Sequence, residues 1–232
     1  LDAPTRVYEE AMELVRRVGD LRGELLVHLV ASSTLLLQGR TEESRERARR
    51  TVDHAERLGA RRFHAEALGL IALSHVLQGD RTEGRRIVEE GIAIAREAGM
   101  AYCGPILLGI LARATDDPPQ RADALREGEA LLADGSVSHS YFEFYANAIE
   151  VSLDTRAWAD VRRYAQALSD YTRDEPVPLP TLVIDRGRVL ADIGEGRKDE
   201  RTLSALNALL ARCREAQTLA LAWRIESALA ND

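Results

Sequence analysis

Aromatic residues, lysine and cysteine are all scarce in this chain. Only 5% of its 232 residues are aromatic, so it has few of the side chains that favour β-strands. Its two cysteines, Cys103 and Cys213, lie far apart and share no short metal-ligand spacing, which argues against a disulfide framework. No window approaches about 18 uninterrupted apolar residues, so the sequence predicts no membrane-spanning helix. We expect a reducing, cytoplasmic setting.

The charge balance is acidic. The chain carries 38 Asp and Glu residues against 31 Lys and Arg, a net charge of −7, and Lys198 is its one lysine. Binding to nucleic acid or to an anionic membrane needs a basic surface, so the composition predicts neither partner. The 45% of hydrophobic residues, with many Ala, Leu, Glu and Arg, is typical of a folded helical protein.

Apolar residues recur with helical spacing along the whole chain, and no segment of useful length alternates with a period of two. Gly or Pro marks most breaks between the periodic segments. The sequence therefore predicts an all-α protein. The predicted helices span residues 4–18, 21–37, 41–58, 61–77, 82–98, 101–114, 121–133, 140–153, 159–172, 180–193, 202–216 and 219–230.

A repeat organises these helices. A Gln-Gly pair at residues 38–39 returns at residues 78–79, and the charged helices that follow end at Gly59 and Gly99. A fixed period of about forty residues is typical of helical hairpins stacked in a solenoid, here about five to six of them. The expected single domain, residues 1–232, has hairpins at about 20–59, 60–99, 100–135, 136–175 and 176–217, with flanking helices at 1–19 and 218–232.

The first and last helices each carry an apolar stripe. Because the chain starts at Leu1 without Met and is already helical there, we expect it to be a fragment of a longer protein. The stripe of the last helix needs either the upstream hairpin or a second copy of the chain to cover it. The stripes consist of Val7, Ala11, Leu14, Val15 and Val18 in the first helix and of Leu219, Leu221, Ala222, Trp223, Ile225 and Leu229 in the last.

Small residues stand at matching positions inside the hairpins. Ser32, Ala72 and Gly187 each lie seven residues before the glycine of a turn, where a small side chain lets two helices approach closely. With the turn Gly79-Asp80, this pattern resembles the tetratricopeptide repeat (TPR).

The resemblance is to the long-repeat form at the C-terminal end of large bacterial signalling ATPases. These include class III adenylate/guanylate cyclases fused to an ATPase module, and related transcriptional activators. Residues 138–150, 170–176 and 186–191 and Trp158 are similar to late repeats of the cyclase group. The resemblance implies a TPR-like α-α superhelix that acts as a non-catalytic sensing or assembly segment.

The sequence has no recognisable catalytic motif. No glycine-rich loop leads into GK[ST], and the five histidines form no HExxH pattern. Asp53, His54 and Glu66 could form an acid–base group, but paired titratable residues are common on charged helices. We therefore predict no catalytic residue, no cofactor and no metal site.

Most of the few aromatic residues lie between Tyr141 and Tyr171. They form either a bulky core layer or part of a binding surface, since Tyr and Trp suit interfaces. In a solenoid the first helix of each hairpin lines the concave face, so we expect partner-binding residues there. The candidates are Tyr141, Glu143, Tyr145, Asn147, Glu150, Asp185, Arg188, Glu66, His28 and Tyr102.

The leading functional hypothesis is a non-catalytic scaffold or regulatory module that binds a protein or peptide within a larger bacterial signalling protein. A solenoid offers a long inner surface and needs no catalytic cleft. Two alternatives stay open: a small-molecule effector domain that controls an attached output domain, and a module that self-associates through its C-terminal helix. A discrete apolar pocket would favour the effector domain, and a broad open groove would favour a peptide.

Overall fold

Helices alone form the described part of the chain. The structure, a computed structural model, describes residues 3–230, which fold into twelve α-helices with no strand among them. The prediction of an all-α protein is therefore confirmed. The helices are α1 (Ala3–Val18), α2 (Leu21–Leu37), α3 (Thr41–Leu58), α4 (Arg61–Leu77), α5 (Arg81–Ala98), α6 (Gly104–Ala114), α7 (Pro118–Gly135), α8 (Ser138–Asp154), α9 (Trp158–Tyr171), α10 (Pro178–Gly194), α11 (Glu200–Glu215) and α12 (Leu219–Ala230).

Most helix boundaries follow local signals in the sequence. Asp20, Asp80 and Asp199 precede α2, α5 and α11, and each carboxylate accepts a first-turn backbone N–H, at 2.9, 3.1 and 2.8 Å. Gly59 ends α3 with a φ of 62°, a left-handed conformation that glycine adopts without strain. The predicted bounds of α2, α3, α4 and α12 are confirmed to the residue. Within residues 3–230, no helix has both the length and the hydropathy that a bilayer span requires.

The predicted starts of two helices were wrong because of proline. α7 begins at Pro118 rather than Arg121, and α10 begins at Pro178 rather than Pro180. The first position of a helix needs no N–H donor, and the fixed φ of proline suits it. These prolines therefore start helices, although the sequence indicated a connector.

The order of helix contacts is regular. Each helix packs against the next one in the sequence, and the even-numbered helices α2 to α12 also contact one another in order. Among the described residues, the backbones of the odd-numbered helices come close only to their sequence neighbours, and surface ion pairs such as Arg96–Glu127 join α5 to α7. One further contact joins α2 to α12. This order is consistent with the packing of successive helical hairpins.

Small residues bring paired helices close together. The hydroxyl groups of Ser32 on α2 and Ser44 on α3 each donate to the other residue's carbonyl oxygen at 2.9 Å. A Cβ atom added to Gly84 of α5 would lie 2.9 Å from the carbonyl oxygen of Ala72 on α4. Larger side chains at these positions would push the helices apart.

A second pair of close approaches lies around α8. Phe144 is fully buried, and a Cβ atom added to Gly128 of α7 would lie only 2.2 Å from its ring. A Cβ atom added to Gly109 of α6 would lie 3.0 Å from the Cβ atom of Asn147. Because neither glycine has a side chain, α6 and α7 can pack closely against α8 at these two points.

The apolar stripe predicted on α1 is largely uncovered. Val7, Leu14 and Val18 are each more than half exposed to solvent. Among the described helices, the backbone of α1 lies close to α2 alone, and an ion pair of 2.6 Å between Glu9 and Arg47 links α1 to α3. The stripe on α12 is better covered, since Ala222 and Ile225 are buried in the core shared with the upstream helices.

Replacing Gly128 with Ala should destabilise the protein by up to about 2 kcal/mol, because the new methyl group would overlap the Phe144 ring. Overpacking of a core costs about 1–3 kcal/mol, against a gain of about 1 kcal/mol in helix propensity. Urea unfolding measures the change. Arg126→Ala, at an exposed position of the same helix, is the control and should stay within about 0.5 kcal/mol of the parent. A stabilised Gly128→Ala variant would contradict the described packing.

Candidate functional site

Four side chains from α4, α8 and the turn before α6 lie near one another. Glu66 lies on α4, Tyr102 lies in the turn before α6, and His139 and Glu143 lie one turn apart on α8. Glu66, Tyr102 and Glu143 are among the residues predicted to contact a partner, and the structure brings them together with His139. We call these four residues the Glu66 cluster.

Hydrogen bonds between the turn and α8 position Tyr102. The sequence predicted a helix from Ala101, but α6 begins at Gly104, so Tyr102 lies in a turn. The Ser140 hydroxyl donates to the carbonyl oxygen of Tyr102 at 2.8 Å, and the Val137 N–H donates to that of Ala101 at 3.2 Å. These two bonds hold the turn against the first residues of α8.

No positively charged group offsets the burial of the Glu66 carboxyl group. Burial raises its pKa from 4.5 to about 7; the nearby Tyr102 hydroxyl opposes this rise and the charge of Glu143 adds to it. Its Oε1 lies 3.9 Å from Nε2 of His139, which is too far for a hydrogen bond. Its Oε2 is buried and has no hydrogen-bond partner within residues 3–230. Near neutral pH this carboxyl group therefore exchanges between its charged and neutral forms.

The two residues on α8 do not neutralise this acid. Burial lowers the pKa of the His139 imidazole, which favours the uncharged ring at neutral pH. Glu143 is exposed to solvent, yet the surrounding protein raises the pKa of its carboxyl group.

Aromatic rings border the Glu66 cluster. The Tyr102 ring meets Phe63 and His139 edge-on, with ring centres 5.5 and 5.1 Å away. The guanidinium carbon of Arg62 lies 5.0 Å from the centre of the same ring. This cation–π contact shows that the edge of the site already holds a positive group against an aromatic face.

A second polar group, which we call the Glu150 network, joins α8, α10 and α12. Arg186 and Arg224 both donate to the Glu150 carboxylate, with Nε of Arg224 at 2.9 Å from its Oε2. Arg224 also pairs with Asp154, and Nε of Arg186 donates to the carbonyl oxygen of Leu221 at 2.8 Å. The network therefore ties the last helix to the two even-numbered helices before it.

Positive charges keep Glu150 ionised. Burial by itself raises the pKa of this carboxyl group, but Arg186, Arg113 and Arg224 outweigh burial and bring the pKa down to about 2. Arg113 on α6 also donates to Oδ1 of Asn147 at 3.1 Å. Glu150 and Asn147 were both predicted to contact a partner, and the structure places both in bonds within the chain.

Tyr141 and Tyr145 lie at the edge of the core. The Tyr141 ring stacks on Tyr171 with ring centres 4.0 Å apart, and its hydroxyl donates to the carbonyl oxygen of Leu132 at 2.6 Å. The Tyr145 ring lies against Tyr164, with ring centres 6.2 Å apart. Both tyrosines stay partly accessible, so their assignment to a partner-binding surface remains a prediction.

Three other residues that were predicted to contact a partner lie outside the Glu66 cluster. His28 is buried beside His54, with ring centres 5.6 Å apart, and burial lowers its pKa to about 4. Asp185 pairs with an arginine on α11 at 2.9 Å, and Arg188 donates to a glutamine on α9 at 2.9 Å. None of these contacts involves the Glu66 cluster.

The sequence analysis did not predict that His139 lies beside Glu66 or that arginines surround Glu150. The first was accessible from the sequence, because His139 stands four residues before Glu143 and that spacing puts both on one face of a helix. No local pattern links Arg224 to Glu150, since 74 residues separate them. Only the packing of α12 brings these two residues together.

No protein-family model and no curated protein matches this chain. Within residues 3–230, no three His, Cys, Asp or Glu side chains are grouped as ligands of a metal ion. The chemistry of the Glu66 cluster therefore follows from its own geometry. A desolvated acid, an accessible second acid and a tyrosine ring together attract a positively charged group.

Replacing Glu66 with Gln should raise stability at pH 8 and leave it almost unchanged at pH 4. The folded-state pKa is about 7 against 4.5 for the free group, so the ionisation of Glu66 costs nothing below pH 4.5, and its cost grows between pH 4.5 and 7 and is constant above that. The full effect amounts to at most about 3 kcal/mol. Urea unfolding across this pH range measures it, with the exposed Glu90→Gln as control. A gain that does not depend on pH would argue against desolvation of Glu66.

Replacing Glu150 with Gln should lower stability most at neutral pH. Because its folded-state pKa is about 2 against 4.5 for the free group, Glu150 stabilises the fold above pH 4.5 and less as the pH falls towards 2. Removing one member of a buried ion pair costs about 3–5 kcal/mol. Unfolding free energies of both proteins at pH 7 and pH 3 measure the loss. Equal losses at the two pH values would contradict the charge-based role.

Proposed function

We propose that the chain is a TPR-like superhelix of helical hairpins whose concave face binds a basic side chain of a protein or peptide. The Glu66 cluster is the proposed binding site. In this proposal the chain is a non-catalytic, cytoplasmic module of a larger bacterial signalling protein, as the resemblance of its repeats to cyclase-associated segments implies.

The order of helix contacts supports the superhelix. Stacked hairpins contact each other through the same surfaces at every step. The even-numbered helices here pack closely in order, whereas odd-numbered helices meet one another only through side chains such as those of Arg96 and Glu127. In a superhelix of this kind the even-numbered helices line the concave face. Glu66 and Glu143 lie on two of these helices, α4 and α8.

The observation that carries the proposal is the buried, unpartnered Oε2 of Glu66. A buried carboxylate oxygen without a donor is costly, and this cost appears as the raised pKa of Glu66. A guanidinium or ammonium group brings both the missing donor and the missing positive charge. Hydrogen bonds between charged groups are the strong ones, so a basic side chain removes the cost better than a neutral amide does.

The neighbouring residues give the basic side chain a second acid and an aromatic face. Glu143 is accessible, so it meets an incoming positive group first. The Tyr102 ring already borders one guanidinium, that of Arg62, and its remaining surface can take another cation. A cation bound next to Glu66 lowers the pKa of that carboxyl group, so binding near neutral pH releases a proton.

A small organic cation is the second candidate ligand, because the Glu66 carboxylate is mostly buried among the side chains around it. The solvent-accessible Glu143 favours a longer ligand, since a peptide can cover an open surface that a small amine leaves wet. We therefore place the peptide first. Argininamide and an arginine-containing peptide distinguish the two ligands in one titration series.

A short fluorescein-labelled peptide that alternates Arg and Ala should bind the protein, and the same peptide with citrulline in place of Arg should not. Fluorescence anisotropy measures both affinities. Glu66→Gln and Glu143→Gln should each weaken binding of the Arg peptide about tenfold or more, the effect of losing a charge-assisted hydrogen bond. The affinity of the parent protein should rise from pH 6 to pH 8, because Glu66 then loses its proton, and Glu66→Gln should remove most of this rise.

Glu90→Gln, on the exposed side of α5, is the matched control and should bind like the parent. Equal binding of the Arg and citrulline peptides would overturn the proposal. Tighter binding of argininamide than of the Arg peptide, with the same dependence on Glu66, would assign the site to a small effector.

A further inference from the structure

Two buried arginine nitrogens in the Glu150 network lack a hydrogen-bond partner. They are Nη2 of Arg186 and Nε of Arg113, and neither has an acceptor among residues 3–230. A buried donor without an acceptor destabilises a fold, most of all when the donor carries charge. The network therefore lacks an acceptor that a ligand can supply.

The other nitrogens of these two arginines hold their guanidinium groups in place. Nε of Arg186 donates to the carbonyl oxygen of Leu221 at 2.8 Å, and its Nη1 donates to the Glu150 carboxylate. Nη1 of Arg113 donates to Oδ1 of Asn147 at 3.1 Å. A rotation that gave either unpartnered nitrogen a new acceptor would break these bonds, so the two donors stay where they are.

The network carries more positive than negative charge. Arg113, Arg186 and Arg224 all act on the Glu150 carboxylate, and Arg224 also pairs with Asp154. Arginine stays protonated in proteins, so three positive groups share two carboxylates. One positive charge therefore has no counter-charge within this group of five residues.

A fourth arginine nearby does not change this balance. Arg81 lies 3.7 Å from Asp154, but it has its own acid, Asp116, at 2.8 Å. Burial lowers the pKa of Arg113, and repulsion by the other two arginines of the network lowers it further, against the opposing effect of the two carboxylates. The direction of this shift agrees with an excess of positive charge around Arg113.

The network is accessible from one side. Arg186 is 0% exposed, whereas Arg113 and Arg224 are partly exposed and Asp154 lies at the surface. The four helices that carry these residues, α6, α8, α10 and α12, pack against one another in order. A small group therefore approaches the two unpartnered nitrogens beside Arg113 and Arg224.

We propose that this network binds a carboxylate group of a ligand, which accepts hydrogen bonds from Nε of Arg113 and Nη2 of Arg186. A carboxylate brings one negative charge and two acceptor oxygens, so it matches one uncompensated positive charge and two unpartnered donors. A phosphate dianion brings a second negative charge, which Glu150 and Asp154 repel. The site is separate from the Glu66 cluster and does not rest on the function proposed above.

Two sources supply a carboxylate of this kind: a small free acid and the acidic side chain of a peptide. Acetate represents the first source. The blocked peptide acetyl-Ala-Glu-Ala-amide represents the second, because its one carboxylate is that of the Glu side chain. Acetamide and the same peptide with Gln in place of Glu have nearly the same shapes without the charge, and they serve as matched control ligands.

Nitrogen-15 NMR of the arginine Nε–H groups of the whole chain tests the site, with the Arg113 and Arg186 signals assigned by through-bond correlation. Acetate should shift the Arg113 signal in a saturable way, and acetamide should not. Arg113→Gln should weaken acetate binding about tenfold or more, the effect of losing a charge-assisted hydrogen bond, as measured on the Arg186 signal. If this variant does not fold, the titration of the parent protein still decides the question.

Arg126→Gln, which removes an exposed arginine of α7, should bind acetate like the parent. Glu66→Gln should do the same, because the carboxylate site does not involve the Glu66 cluster. Tighter binding of the Glu peptide than of acetate would assign the site to a peptide side chain, and the reverse order would assign it to a free acid.

An Arg113 signal that neither acetate nor the Glu peptide shifts would overturn the proposal, because water alone then meets the two nitrogens. Equal shifts with acetate and acetamide would overturn it as well, since the charge would then play no part. Tighter binding of inorganic phosphate than of acetate would contradict the choice of a carboxylate.

Discussion

Close approach of neighbouring helices at small residues is the constraint on which the rest of the structure depends. Ser32 meets Ser44 through mutual hydrogen bonds, and Gly128 leaves room for the buried ring of Phe144. Protein interiors are packed densely, so a larger side chain at such a point moves a whole helix. The Glu66 cluster draws its residues from α4, α8 and the turn before α6, and its geometry therefore depends on this packing.

The two acidic centres of the chain show how neighbours decide the state of a buried carboxylate. Glu150 has three arginines around it, and its pKa falls to about 2. Glu66 has a neutral imidazole and another acid nearby, and its pKa rises to about 7. Burial acts in the same direction on both groups, so the arginines make the difference. Glu150 thus ties helices together, whereas no arginine offsets the burial of Glu66, and this difference is the basis of the cation site proposed above.

Local signals in the sequence were enough to predict the helices and part of the site. Helical spacing and turn glycines predicted every helix of the described residues and the bounds of four to the residue. The largest errors in helix starts occurred where Pro118 and Pro178 begin helices and where α6 begins at Gly104 rather than Ala101. Glu66 and Glu143 were predicted to contact a partner because helix position alone indicates which face a residue occupies.

The remaining contacts depend on how distant helices pack. The sequence gives no local sign that Arg224 reaches Glu150, or that Tyr141 uses its hydroxyl on a backbone carbonyl. The residues next to Arg224 and Tyr141 in the sequence do not indicate these contacts, because both contacts are made with other helices. The placement of terminal stripes likewise needed the structure, because a stripe shows that a helix has an apolar face but not which element covers it.

The pKa of Glu66 is the most direct test of the claim that its carboxyl group is desolvated and can bind a cation. Carbon-13 NMR of the side-chain carboxyl groups, recorded as a function of pH and assigned by the signal missing in Glu66→Gln, measures its pKa. If Glu66 is a desolvated acid that binds a cation, its pKa is about 7 and falls when the Arg peptide is added. A pKa near 4.5 that the peptide leaves unchanged would contradict this description of the site.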